Sequence, residues 1–151
     1  MGAVPSNVGH PYVSGETATT DNSTCSYHRS SGAGFVDAWF MPCDSGDETC
    51  LQNLIGGNDC VMFYSTAIKT SIQVIDSFRD YTSGVYSDPE CPNDKHNHAV
   101  AIVGFGTDAT SGMDYWIVRN SWGNAWGDGG YIKMQKGVNL CCISCENLIF
   151  Q

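Results

Sequence analysis

Ala99-Val100-Ala101-Ile102-Val103, then Gly104-Phe105-Gly106, then the turn-forming residues Asp108 to Gly112, then Tyr115-Trp116-Ile117-Val118: this stretch decides the fold. Two short apolar runs rich in β-branched and aromatic residues flank a polar, glycine-containing link. That pattern predicts an antiparallel hairpin with a loop of moderate length, the first strand ending at the glycines. Downstream, Asn124 to Gly130 is glycine-dense and Tyr131-Ile132-Lys133-Met134 alternates as a further strand. Upstream, Cys60-Val61-Met62-Phe63-Tyr64 is a continuous apolar run of strand length, expected to be buried on both faces. Leu54 and Ile55 stand three and four residues after Leu51 within residues 48–56, ahead of Gly56-Gly57, as in one short helix. Residues 35–42 predict a strand stopped by Pro42, whereas residues 67–81 match neither period before a turn leads into Val85-Tyr86. Residues 1–34, rich in Gly, Ser, Thr and Pro, read as a loop-rich lead-in with short extended pieces. The expected architecture is mainly β within an α+β class. A twisted antiparallel sheet with one minor helix spans 35–151, and with the lead-in it makes one compact unit.

The bulk numbers agree with a globular domain: 151 residues, 42% hydrophobic and 15% charged. A formal charge of −9 argues against nucleic acid or an anionic membrane as partner, because both need clustered Lys and Arg. No stretch approaches transmembrane length. Met1-Gly2-Ala3-Val4-Pro5-Ser6 has no targeting pattern, so any secretory signal is expected outside these residues. Eight cysteines suit an oxidising compartment. Their spacing favours disulfides over zinc: Cys141, Cys142 and Cys145 have no histidine pair downstream, and Cys43 with Cys50 is a plausible local bridge. Asn22-Ser23-Thr24 makes Asn22 a glycosylation candidate. These features together point to the secretory route. Glu146 to Gln151 differs at one position from an engineered protease tag site, although Leu148-Ile149-Phe150 equally suits a closing strand.

The residues able to do chemistry fall in the same decisive stretch. They run Asn97-His98-Ala99-Val100, Val103-Gly104-Phe105-Gly106, Tyr115-Trp116-Ile117-Val118-Arg119-Asn120-Ser121-Trp122-Gly123, and Trp126-Gly127-Asp128-Gly129-Gly130-Tyr131-Ile132. Singly, each is ordinary. A histidine before Ala-Val is usually a surface or core residue, Asn120-Ser121 can simply start a turn, and Trp122 and Trp126 can be core aromatics. His96 and His98, two apart on one strand face, would need a third ligand, so no metal is expected. Jointly, in this order and spacing, the blocks resemble the C-terminal signature of the papain and cathepsin L group of cysteine peptidases. His10-Pro11-Tyr12, Phe78-Arg79-Asp80-Tyr81 through Gly84-Val85-Tyr86, and Asn139-Leu140-Cys141 resemble further segments of that group. The resemblance covers about residues 10–145, more loosely before residue 60.

The resemblance implies a half-barrel like the C-terminal half of the papain fold, with the helical N-terminal half absent. It implies that His98 is the general base and acid, taking a thiol proton to give a thiolate–imidazolium pair and later protonating the leaving amine. Asn120 would hold the other ring nitrogen and fix the tautomer. The 22-residue separation suits contact across the paired strands. Trp122 would lie over the His–Asn bond and keep water off it. Trp126 would wall the leaving-group side, and Ala99 would floor the main specificity pocket. The resemblance also implies a Cys91–Cys141 bridge and a Cys25 whose partner lies in the absent half. Cys142 stands where the group has Gly, so Cys142 and Cys145 have no assigned role, and Cys60 is expected to be buried and inert. A peptide or protein is the implied substrate, and no cofactor is expected.

The group's nucleophile lies in a "CGSCW" block at the start of a long helix, preceded by a Gln that helps form the oxyanion hole. Neither occurs in these 151 residues. Without a thiolate acyl transfer cannot begin, so the chain alone is expected to be inactive. Three possibilities follow. The chain is the heavy-chain-like half of a peptidase completed by a cysteine-bearing N-terminal half or chain; or it is a non-catalytic relative kept as a binding or structural module; or it is an isolated fragment. In the first case a lysosomal, vacuolar or extracellular setting is implied, and an apolar sheet face is left to pair.

Overall fold

The structure, a computed structural model, describes residues 3–5, 32–35, 39–56 and 67–150. The expected strand Cys60–Tyr64, the His10-Pro11-Tyr12 segment, Asn22 and Cys25 lie outside the described residues. Two units are resolved, Met1–Trp39 with Phe150–Gln151, and Phe40–Ile149. In the first, β1 (Ala3–Pro5) pairs antiparallel with β2 (Gly32–Phe35).

The remaining elements are β3 (Trp39–Phe40), α1 (Glu48–Gly56), β4 (Ile68–Ile72), α2 (Asp76–Arg79), β5 (Val85–Tyr86), β6 (His98–Thr107), β7 (Asp114–Arg119), β8 (Tyr131–Gln135) and β9 (Asn147–Phe150). Their sheet runs in the order β3-β9-β4-β6-β7-β8-β5 and is open rather than closed into a barrel. Of the strand expected over 35–42, the described residues place Phe35 in β2 and Trp39 and Phe40 in β3.

The decisive hairpin forms as β6 and β7, with Ala101 opposite Arg119 and Phe105 opposite Trp116. The first strand does not end at Gly104-Phe105-Gly106. It continues to Thr107 through a register shift between Ile102 and Gly104. The glycines mark a close approach instead: a Cβ on Gly106 would sit 2.9 Å from the Tyr115 hydroxyl and 3.0 Å from its ring carbon Cζ. A further departure is at the sheet edge, where β5 runs parallel to β8 and makes the sheet mixed. The chain from β5 to β8 passes through the whole β6–β7 hairpin, so no tight turn imposes an antiparallel pairing.

Residues 67–81, which fit no single period, hold both β4 and α2. The middle of β4 is Lys69-Thr70-Ser71, polar yet central in the sheet, and Thr70 is fully buried. Its hydroxyl donates to the Ile143 carbonyl at 2.5 Å, and the Ser71 hydroxyl donates to Glu146 Oε2 at 2.7 Å. The C-terminal segment thus meets the hydrogen-bonding demand of buried polar groups that would otherwise oppose this strand.

The inward faces of four strands meet in one core through Ile68, Ile72, Ile102, Trp116, Val118 and Ile132, all fully buried. Each such side chain contributes roughly 1.5–3 kcal/mol. α1 covers this layer with Leu51, the first of the three apolar positions read from the sequence. Asp47 caps the helix, its Oδ1 accepting the Cys50 N–H at 2.9 Å. Disulfides Cys43–Cys50 and Cys91–Cys141 are present, and Cys142 is bonded to Cys145, which accounts for the pair without an assigned role.

Candidate active site

His98 opens β6 and Asn120 follows the last residue of β7, so both stand at the open end of the hairpin. Each is braced by the backbone. Asn97, just before His98, donates its N–H to the Ile72 carbonyl at 2.9 Å and accepts the Val74 N–H on its side-chain oxygen at 2.8 Å. The Asn120 N–H donates to the Gly130 carbonyl at 3.0 Å. Gly130 has φ +90°, and a Cβ there would lie 2.5 Å from Arg119 Nη1 and 3.0 Å from the Gly123 carbonyl, so no other residue fits. Arg119 ties the intervening loop down, donating to the Gly129 carbonyl at 2.9 Å and to Asn124 Oδ1 at 3.0 Å.

His98 Nε2 and Asn120 Oδ1 are 2.9 Å apart. The same Asn120 oxygen accepts the Ser121 backbone N–H at 2.7 Å. A backbone N–H can only donate, so the side-chain atom facing it is the amide oxygen, and His98 Nε2 must carry the proton. Nδ1 is therefore left with the lone pair. Asn120 is 3% exposed, and its Nδ2 is buried without a hydrogen-bond partner among the described residues. An orphaned amide costs about 1–3 kcal/mol, so the surrounding packing must hold the side chain in place.

That packing is aromatic. The Trp122 ring centroid is 5.0 Å from the imidazole with 34° between planes. Trp122 stands edge-on to Phe78 (5.8 Å) and to Trp126 (5.1 Å), while Trp126 stacks on Phe78 at 5.3 Å. The Trp126 indole donates to the Arg79 carbonyl at 2.8 Å, and Phe78 is fully buried. Perpendicular and stacked rings at these distances fix one another's orientation. An apolar ring against the imidazole also lowers the local dielectric and strengthens the His–Asn bond. Behind them, burial pushes the phenols of Tyr81 and Tyr86 up, so both act as neutral hydrogen-bonding groups.

His98, Val74, Arg79, Asn97 and Trp122 line one shallow cleft of about 260 Å³. Trp126 backs Trp122 and is not part of the lining, and Ala99 is exposed on β6 beside His98. His96 lies outside β6, so it does not share a strand face with His98; its Nε2 is 3.8 Å from Glu146 Oε2. Arg79, Val74 and Asn97 carry no signal as site residues in the sequence. Phe78-Arg79-Asp80-Tyr81 matches a motif through its aromatics alone, and only the fold turns the arginine toward His98. Every described cysteine is in a disulfide: Cys43, Cys50, Cys91, Cys141, Cys142 and Cys145. Among the described residues the cleft therefore offers an oriented imidazole with no hydrogen bond to Nδ1, able to take and return a proton there, and no thiol.

The sequence profile of the papain family cysteine proteases matches residues 2–150. Cathepsin L of Sarcophaga peregrina is 40% identical over 121 residues, covering 80% of this chain and 33% of that protein. Cathepsin L1 of Drosophila melanogaster is 36% identical over 141 residues, covering 93% of this chain and 34% of that protein. Among solved structures, the digestive procathepsin L2 proteinase from Tenebrio molitor larval midgut superposes with a TM-score of 0.83 at 28% identity, over 99% of this chain and 43% of that one. The chain spans about a third of the length of the curated relatives it matches.

Proposed function

This chain belongs to the papain family of cysteine proteases, and we propose that it is the histidine- and asparagine-bearing half of such a peptidase, completed by a thiol from outside these 151 residues. The family acts on peptide bonds. In this role His98 Nδ1 takes the proton of the incoming cysteine, and the imidazolium that forms stabilises the thiolate. The thiolate attacks the peptide carbonyl, His98 then protonates the leaving amine, and a water deprotonated by His98 releases the acyl group. Asn120 keeps Nε2 protonated throughout, so the reactive nitrogen is always Nδ1. The observation that carries this proposal is the shared oxygen of Asn120, which receives both His98 Nε2 and the Ser121 N–H and so leaves Nδ1 free.

The partner implied is a papain-like half containing the "CGSCW" block and the oxyanion Gln, either an earlier part of one longer polypeptide or a separate chain. A cleft shared between two halves suits a peptide substrate. Three disulfides among the described residues support an oxidising, secretory setting, lysosomal, vacuolar or extracellular. Among the described residues no helix is long and apolar enough to cross a membrane.

The test is the intact mass and partner content of the native protein, followed by peptide hydrolysis. Copurification or covalent continuity with a "CGSCW" segment, and hydrolysis abolished by iodoacetamide, are expected. A native protein that lacks any such segment and is inert toward peptides overturns the proposal and leaves a non-catalytic binding or structural module.

A further inference from the structure

We propose that Arg79 makes the leaving-group side of this cleft a carboxylate site, favouring cleavage where the first residue released carries an acidic side chain or a chain-terminal carboxylate. The inference rests on the proposed role of His98. The amine released on cleavage takes its proton from His98, so its nitrogen must come within hydrogen-bond reach of the imidazole. Whatever shares the cleft with His98 therefore meets the residue that carries that amine. Val74, Arg79, Asn97 and Trp122 share it, and Arg79 is the one fixed cation among them.

The arginine is held in a receptive state. Its main chain is anchored by the Trp126 indole at 2.8 Å, and its guanidinium carbon lies 5.6 Å from the centre of the Trp122 ring. A guanidinium over an aromatic face keeps its edge N–H groups directed outward, where a carboxylate can bind two of them at once. Asp76 is the competing anion. Its Oδ1 is 4.0 Å from Arg79 Nε, its side chain is fully in water, and the Arg79 side chain is 60% exposed. Such a pair is weak and leaves the two terminal nitrogens for substrate. Lysine at the same substrate position meets like charge from Arg79 and is disfavoured.

The experiment uses the chain completed by its thiol-bearing half and peptides identical on the acyl side. One set carries Glu, Gln or Lys as first released residue with an amidated end. A second set releases a single Gln ending in either a free carboxylate or an amide. Glu is expected to exceed Gln in kcat/KM by about twofold to fivefold at low ionic strength, with Lys below both, and the ratio to shrink with added salt. Arg79→Lys retains part of the Glu/Gln ratio, Arg79→Gln brings it to about one, and Arg79→Glu inverts it. A preference found only for the free carboxylate assigns the site to chain ends; one found for Glu assigns it to side chains. Hydrolysis of all peptides at equal rates, or a preference that survives Arg79→Gln, overturns the inference alone. No hydrolysis even of the Gln amide overturns the proposed peptidase role and this inference with it.

Discussion

Glu48, in the first turn of α1, accepts a 2.6 Å hydrogen bond from the indole of Trp116, a fully buried side chain of β7 lying 68 residues away. The same carboxylate accepts the backbone N–H groups of Gly137 at 2.8 Å and Asn139 at 2.5 Å. One side chain thus joins the helix, the central hairpin and the turn that leads into Cys141. Glu48→Ala leaves the Trp116 N–H without its partner and is expected to cost about 2–4 kcal/mol. Glu48→Gln, which keeps one acceptor oxygen, should cost less. Urea unfolding monitored by tryptophan fluorescence measures both, and equal midpoints for wild type and Glu48→Ala would refute the role.

In the completed enzyme, His98→Ala is expected to lower kcat/KM by at least about 100-fold to 10,000-fold, because both proton transfers lose their carrier. Asn120→Ala should cost less, since the imidazole remains but loses its fixed tautomer. Asn120→Asp sets a negative charge against the imidazole and favours the imidazolium, so the alkaline limb of the pH–rate profile should move to higher pH. Steady-state kinetics from pH 4 to 10 on the three variants tests the order. A milder loss in His98→Ala than in Asn120→Ala contradicts it.

Stability should fall on acidification partly through Glu146. The Ser71 hydroxyl, then the Lys69 charge, hold its carboxyl below the ordinary value of 4.5. A depressed folded-state pKa means that the contribution is fully present above the unfolded value. It is lost as pH falls through the lower folded one. Glu146→Gln should therefore unfold more easily than wild type above about pH 5.5, with the two curves converging at lower pH. Thermal melts across that range read this directly, and a gap that persists unchanged to pH 2 counts against it.

The three disulfides should differ in weight. Cys91–Cys141 closes a separation of 50 residues, against 3 for Cys142–Cys145. By loop-closure entropy the double variant Cys91→Ser/Cys141→Ser should lose about 4 kcal/mol and Cys142→Ser/Cys145→Ser about 2 kcal/mol. Chemical denaturation of the two double variants gives the comparison, with the reverse order as the refuting result.

Most of the hairpin was legible because its signals are local. Strand alternation, turn residues and the 22-residue spacing of His98 and Asn120 lie within short windows. Three features escaped for separate reasons. β4 was masked by Lys69-Thr70-Ser71, since burial of Thr70 depends on a carbonyl 73 residues away. The end of β6 is hidden because Gly104 and Gly106 look locally like strand breakers, whereas they admit Ile117 and Tyr115 from across the strand. Arg79 is illegible as a site residue because nothing in Phe78-Arg79-Asp80-Tyr81 says which way the arginine turns.

Sequence alone determined the strands of the central hairpin and the one after it, the histidine–asparagine pair with its flanking tryptophans, and the resemblance to the papain group, for each is written in the order of neighbouring residues. Tertiary structure decided which nitrogen of His98 is free, which cation shares its cleft, and how polar residues come to lie inside a central strand. Those outcomes turn on hydrogen bonds and ring contacts between distant segments, and a partner brought near only by folding leaves no local trace in the chain.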